Sequence, residues 1–496
     1  MRYQRNGAGA TGGSGTPARI LRQMMLAGAI ALTVSTARAD YIQSLGVSEA
    51  CIAMGGACVA TADDFGAYYV NPAGATQFDH PLLGGNFRLI DTRDLDLDDS
   101  DGSHSIYRTN ARGALALAPT LAGYYPLSPR LTVGLALGAP FAITGDWGNA
   151  AGINRFDMSN QSLFVLDLSP NLAFKVTDKL SVGLAINITA FKQLQTQTLI
   201  PSSFFAAFPP SLGGEGAVIP TTPHSPVFGS VTLQTSKDVS LGIPPDNFES
   251  AFDEATFTVG VRYQESERLS FGAAYRNITR TSFRGTATLD LTPIDKGSQS
   301  TGFTTALDMP GHVELGAAYQ VLPSRLTWSL DFQRTFWAQT RGFGSPADIR
   351  FQQPLLGLIN NLQISYEGHD ANTYRTGIKY QATPLLAVMG GYAYDQRVFH
   401  NNTVDILTYD SNRNIFSLGG TLDLRSSNKR GWIISTEAQM THYDRNTLQP
   451  GESNNLGGLS LPSLSPAGTL AFVPNRGEFT FGGNIWGYGV SAAYAF

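Results

Sequence analysis

Hydrolytic or nucleophilic chemistry needs a nucleophile or an activated water held by an imidazole and a carboxylate. This chain offers few places to assemble such a set. Its seven histidines, His80, His104, His224, His312, His369, His400 and His442, are scattered, and only His312 and Glu314 share one side of a strand-like segment. A solvated polar pair is the simpler reading of those two. Cys51 and Cys58 are too few for a multi-cysteine metal site or a disulfide scaffold. Each is the other's sole partner, and Gly55-Gly56 between them supplies backbone freedom for a tight turn, so one disulfide is expected in an oxidising compartment. Two buried free thiols acting as small apolar residues are the alternative. The sequence has no phosphate-cradling G-x-x-x-x-G-K-S pattern, and no cofactor is implied.

Composition narrows the class. Of 496 residues, 15% are charged and 42% hydrophobic. Acidic and basic side chains number 39 and 34, for a net charge of −5, which provides no basic field for nucleic-acid phosphates. Helical membrane spans need about 20 consecutive apolar residues. The 53 Gly, 28 Phe and 19 Tyr fit a β-rich chain instead. Arg2, Arg5, Arg19 and Arg22 precede an apolar stretch from Met24 to Val34, and Ala37-Arg38-Ala39 follows at cleavage spacing. Residues 1–39 therefore read as a signal peptide, with Asp40 first in the mature chain. An N-terminal amphipathic helix is the alternative.

The elements that must position any site are set by alternation. Leu131, Val133, Leu135, Leu137, Phe141 and Ile143 share one parity, and Thr132, Gly134, Ala136 and Gly138 the other. Phe164 to Val176 and Leu180 to Ile188 repeat the pattern. In the last segment Trp486, Tyr488, Val490, Tyr494 and Phe496 oppose Gly487, Gly489, Ser491, Ala493 and Ala495. One face suits lipid and the other does not. A charge at Val182 or Tyr488 is expected to be costly, and one at Gly183 milder if space allows.

Roughly fourteen such segments of about 11 to 20 residues occur, long enough to cross a membrane when tilted. They start near Leu82, Ala111, Arg130, Ser162, Leu180, Ser250, Arg268, Thr305, Arg325, Ala371, Leu385, Ser411, Arg430 and Gly477. Short turns at Leu127 to Pro129, Thr177 to Lys179, Gln264 to Glu267, Leu322 to Ser324, Thr383 to Pro384 and Arg425 to Lys429 alternate with long connectors. The expected fold is all-β: an antiparallel transmembrane barrel over 82–496 in the bacterial outer membrane, with short periplasmic turns and long outer loops at 196–249, 341–370 and 445–476. A soluble β-sandwich would have to leave the aromatic faces of these long strands wet.

Residues 40–81 are too irregular for barrel wall. They contain Gly55-Gly56-Ala57, Ala62-Asp63-Asp64, Asn71-Pro72-Ala73-Gly74 and Phe78 in that order. This resembles the hatch of the FadL/TodX family, outer-membrane transporters for long-chain fatty acids and other hydrophobic compounds, in which G-x-A, ADD and NPA follow one another. The resemblance extends over nearly all the mature chain through Pro170 to Lys175, Met309 to Gly316, Trp328 with Phe336-Trp337, Tyr374 to Gly377 and Gly391 to Asp395. It implies a monomeric fourteen-stranded barrel plugged by its hatch, a hydrophobic substrate captured by outer loops, an interior apolar site, and sideways release into outer-membrane lipid. Long-chain fatty acids are the leading substrate class and neutral aromatic or aliphatic hydrocarbons the alternative.

Pro140 carries the expected exit. Proline cannot donate a ladder hydrogen bond inside a strand, and a closed barrel has no edge to place it on, so a kink follows after Gly138-Ala139. In the family this strand opens the lateral gap beside the hatch, where Asn71, Pro72 and Ala73 match the NPA motif; a harmless bulge is the other reading. Phe204, Phe205, Phe208, Leu355 and Leu356 belong to apolar clusters in two long loops and are candidates for hydrophobic capture. They could instead pack the loops against each other.

Fatty-acid members place cations after the fifth strand and before the tenth, where this chain has Gln197 and Ser365. A carboxylate would then fall to inward-facing Arg375, Lys379, Arg276 or Lys175. A barrel enzyme, protease or phospholipase, is the competing class, and a purely structural barrel the third.

Overall fold

The structure, a computed structural model, describes residues 46–100, 106–111, 116–117, 119–146, 156, 158–202, 225–235, 254–357, 359–364, 366–404, 410–454, 459–460, 468–472 and 477–496. The expected signal peptide lies outside the described residues. Among them, no helix is long and apolar enough to cross a membrane.

Fourteen strands make the wall: β1 (Leu82–Ser100), β2 (Thr120–Ser128), β3 (Leu131–Asp146), β4 (Met158–Lys175), β5 (Leu180–Pro201), β6 (Thr256–Gln264), β7 (Leu269–Arg276), β8 (His312–Leu322), β9 (Leu326–Thr335), β10 (Ala371–Gln381), β11 (Leu386–Asp395), β12 (Arg413–Asp423), β13 (Gly431–Leu448) and β14 (Phe479–Ala495). Each pairs antiparallel with its neighbours, and β14 closes on β1 from Leu82↔Ala495 to Asp99↔Phe479. The closed ladder satisfies backbone groups that lipid could not.

Alternation sorts the faces. Tyr488 and Val490 are 47% and 48% exposed on the outside, while Gly489 between them and Ser491 and Ala493 beyond them are buried. Trp432, Tyr494 and Phe496 cluster near the ends of β13 and β14, where amphipathic rings suit a membrane interface. The short turns share a device. Ser128 Oγ accepts from the Arg130 and Leu131 amides, Thr177 Oγ1 from Lys179 and Leu180, and Thr383 Oγ1 from Leu385 and Leu386. A hydroxyl that caps its own turn in this way favours a tight reversal.

The long outer connectors are not loops throughout. β5 continues to Pro201, and Val227–Thr235 returns along it. Ser282–Asp290, Ser298–Ala306, Ala347–Leu355, Ile359–Ile364 and Gly468–Phe472 extend this sheet beyond the wall. The strand expected from Thr305 is accordingly displaced: Thr305 ends an outer hairpin, and the wall strand starts at His312. Leu355 is fully buried on the inner face of the outer sheet, and Leu356 packs against the same core. Both therefore pack within the outer sheet, as the alternative reading of these loops has it. Their alternating neighbours form strands, and strands turn apolar parity inward.

The segment from Gly46 to Phe78 lies inside the wall. It comprises α1 (Glu49–Ala53), α2 (Ala67–Val70) and a 3-10 turn over Pro72–Gln77. Its backbone presses on wall glycines that face inward: a Cβ at Gly391 would lie 2.0 Å from Gly55 N, and one at Gly183 would lie 2.3 Å from Ala73 N. The space on which a milder effect at Gly183 depended is absent, since the hatch backbone fills it.

Candidate functional site

The wall departs from a regular ladder at β3. Its pairing with β2 runs up to Thr120↔Gly138 and stops, and residues 139–146 pair only with β4 among the described residues. Above β2, the neighbours of β1 are the short strands Ala116–Leu117 and Ile106–Asn110, which pair with β1 and not with β3. On the β4 side, Gly138 faces Asp167 but Phe141 faces Val165, so Ala139-Pro140 contains one residue more than its partner. Proline withholds the donor that a continuing ladder would need, and the extra residue makes a bulge.

A bulge of one residue inverts side-chain parity beyond it. Phe141, expected to share the lipid side of Leu137, is instead fully buried and faces inward. This corrects the uninterrupted alternation assigned to the strand. Phe141 meets Arg276 of β7, whose guanidinium carbon lies 5.3 Å from the Phe141 ring and 5.5 Å from the ring of Tyr69 in α2. Arg276 Nη2 donates to Asp167 Oδ2 at 2.7 Å, the residue opposite Gly138. Four elements thus meet at the point where the β2–β3 ladder ends.

The hatch residue at this seam is Tyr68, not the NPA motif. A Cβ at Gly138 would lie 2.1 Å from Tyr68 Oη. Asn71 turns to β6, donating to Val261 O at 3.0 Å and to Val59 O at 2.8 Å, while its Oδ1 accepts from Ala73 N. Pro72 and Ala73 pack on Gly183 of β5. Asn71 therefore fastens the turn that places α2, and α2 presents Tyr68 and Tyr69 to the seam. The signal was available in Tyr68-Tyr69, two bulky residues in a stretch otherwise rich in small ones.

The four candidate cations are committed elsewhere or misplaced for capture from outside. Arg375 bonds Glu314 and donates to Gln333 Oε1 at 2.7 Å, beside Asp331, whose Oδ2 accepts from hatch Val59 N at 2.8 Å. Glu314 is thereby an anchor of the wall, and His312 is buried across from Arg276. Arg276 pairs with Asp167. Lys379 reaches Asp63 of the hatch at 3.5 Å, and Lys175 stands at the end of β4 beside a short turn. Gln197 sits opposite Thr232 on the outward extension of β5. Ser365, Phe204, Phe205 and Phe208 lie outside the described residues.

The apolar interior runs from the outer sheet to the seam. Leu233, Phe283, Phe303, Ile349 and Leu355 above belong to one buried cluster with Leu194, Val165 and Phe141 below. At the opposite end, a cleft of about 310 Å³ between hatch and wall is lined by Asp63, Asp64, Arg262, Arg268, Lys379 and Gln381. Cys51 and Cys58, joined as a disulfide with Cα atoms 5.8 Å apart, also border it. An apolar molecule entering that charged cleft would give up about 25 cal/mol for each Å² it left in contact with water.

The sequence model of a family described as outer membrane protein transport protein (OMPP1/FadL/TodX) matches residues 28–429. A Pseudomonas aeruginosa FadL homologue has a similar structure at 18% identity, with a TM-score of 0.68 over 92% of this chain and 100% of that one. The toluene transporters TodX of P. putida and TbuX of Ralstonia pickettii are similar at 16% and 17% identity, with TM-scores of 0.61 and 0.59, over 92% and 91% of this chain and 99% and 98% of theirs. A search of curated proteins returned no match.

Proposed function

This chain belongs to the OMPP1/FadL/TodX family of outer-membrane transport proteins, and from that premise we propose that it imports hydrophobic compounds, long-chain fatty acids among them, by outer capture and lateral release at β3. The carrying observation is the buried apolar cluster that joins the inner face of the outer sheet to Phe141 at the seam. Apolar contact along this path avoids the cost of a water-filled route. The break in the β2–β3 ladder supplies an outlet toward lipid at the path's lower end.

A second reading, neutral aromatic or aliphatic hydrocarbons by the same route, draws on a separate observation: Arg276, Arg375 and Lys379 each carry a protein carboxylate as partner. A free fatty-acid carboxylate would have to compete with those partners. The similar structures TodX and TbuX are toluene transporters. The test is uptake of labelled long-chain fatty acid and of toluene by a bacterium lacking its own hydrophobic-uptake protein. Expression of this chain should accelerate entry of at least one probe; rates equal to those of the empty host would refute the proposal.

A further inference from the structure

Two buried hydrogen-bond donors near the seam have no partner that meets hydrogen-bond geometry among the described residues. Arg276 is 1% exposed and Tyr68 3% exposed, and Arg276 Nε and Tyr68 Oη both lack a hydrogen bond. Tyr68 Oη comes near Thr120 without meeting hydrogen-bond geometry. Buried polar groups are nearly always satisfied, because each one left alone forfeits its interaction with water. The two belong to one neighbourhood. Tyr68 Oη lies against Gly138, Gly138 faces Asp167, Asp167 accepts from Arg276 Nη2, and the Arg276 guanidinium packs on Tyr69, next to Tyr68 in α2. The ladder between β2 and β3 ends at the same place.

Resting on the transport reading above, we propose that Arg276 and Tyr68 form a two-donor subsite at the inner mouth of the seam that receives a neutral acceptor oxygen on an otherwise hydrophobic substrate. Charge decides the class. Arg276 is neutralised by Asp167, so a carboxylate would bring an uncompensated buried negative charge, which is far costlier to hold than a neutral oxygen. An ester or ketone carbonyl accepts from both donors and adds no charge. A pure hydrocarbon leaves both donors unpaired. The apolar walls for the remainder of the molecule are Phe141 and the cluster above it. The subsite thus favours hydrophobic molecules with one weakly polar end over both carboxylates and alkanes.

The experiment measures binding and uptake separately. Full-length protein in lipid nanodiscs is titrated with decanoate, its methyl ester and an alkane of matched length, each displacing a fluorescent polyene. Each hydrogen bond is worth roughly tenfold in affinity, so the wild type should prefer ester to alkane on the order of a hundredfold. Tyr68→Phe keeps the ring and removes the hydroxyl, and Arg276→Lys keeps the charge opposite Asp167 and removes Nε. Each variant should lower the ester-to-alkane ratio by about tenfold. Equal wild-type affinities for ester and alkane, a preference for decanoate, or a ratio unmoved in both variants would overturn the subsite. If Arg276→Lys fails to fold, the conservative Tyr68→Phe decides alone. Uptake of the same probes by cells tests the transport reading: a shifting ratio without uptake leaves the subsite standing and refutes transport, whereas uptake with a flat ratio does the reverse.

Discussion

Leu137 and Phe141 lie four residues apart on β3 yet face opposite sides of the barrel wall. Leu137 shares the outward parity of Leu131 to Leu135, while Phe141 is wholly buried against Arg276. The inversion comes from the extra residue at Ala139-Pro140. It places an aromatic ring inside the barrel at the height where β3 loses its partner β2.

Removing the bulge should close the exit. Deleting Ala139 restores one-to-one pairing with β4, and Pro140→Val restores a ladder donor. Either change should let β2 and β3 zip above Gly138, turn Phe141 outward in the deletion, and lower uptake several-fold while the barrel still shows its heat-dependent gel shift. Unchanged uptake in both would mean that substrate does not leave here.

The two faces of the wall should respond to different insults. Tyr488→Arg places a charge against lipid and should cost about 2 to 4 kcal/mol near the bilayer midplane. Gly183→Val instead drives a side chain into the hatch, since even its Cβ would lie 2.3 Å from Ala73 N. The first should lower the urea midpoint of the reconstituted barrel. The second should leave that midpoint nearly unchanged and expose the hatch to protease.

Most of the wall was legible because a closed barrel writes its geometry into alternating parity and short hydroxyl-capped turns, as at Thr177 and Thr383. The bulge was legible as a kink at Pro140, but its consequence for Phe141 was not, because parity beyond a bulge depends on how many partner residues oppose it. The outer strands escaped notice for a similar reason. Ser282–Asp290 and Ser298–Ala306 alternate as wall strands do, and only the pairing of the first with Val227–Thr235 and of the second with the first shows that they stand beyond the wall. Arg276 looked like a free lumenal cation because Asp167, its partner, is 109 residues away in sequence.

An outer connection should loosen with rising pH. Asp410 is fully buried and accepts from the Val398 and Phe399 amides. Burial pushes its carboxyl up from the usual 3.8 to about 7. An unfolded segment therefore ionises first. Stability is full below about pH 4, declines as the pH rises toward about 7, and is flat above that. Hydrogen exchange at Val398 and Phe399, corrected for intrinsic rate, should quicken across this window, and Asp410→Asn should abolish the dependence. Protection that increases with pH would reverse the sign and defeat the argument.

The hatch disulfide should matter to the plug and not to the wall. Cys51 sits within α1, Gly55 and Gly56 turn the chain after it at φ 65° and 80°, and Cys58 returns to within bonding distance. Both φ values lie in the left-handed region that glycine adopts without strain. Cross-linking so short a loop stabilises by about 2 to 3 kcal/mol in the chain-entropy account, and that gain is confined to a segment already held by Asp331 at Val59 N and by the wall at Gly391. Cys51→Ser with Cys58→Ser should therefore raise exchange and proteolysis across residues 46–62, while the folded barrel keeps its gel mobility. Alkylation of the freshly extracted, unreduced protein should label neither cysteine; labelling of both would show that the hatch is held by packing alone.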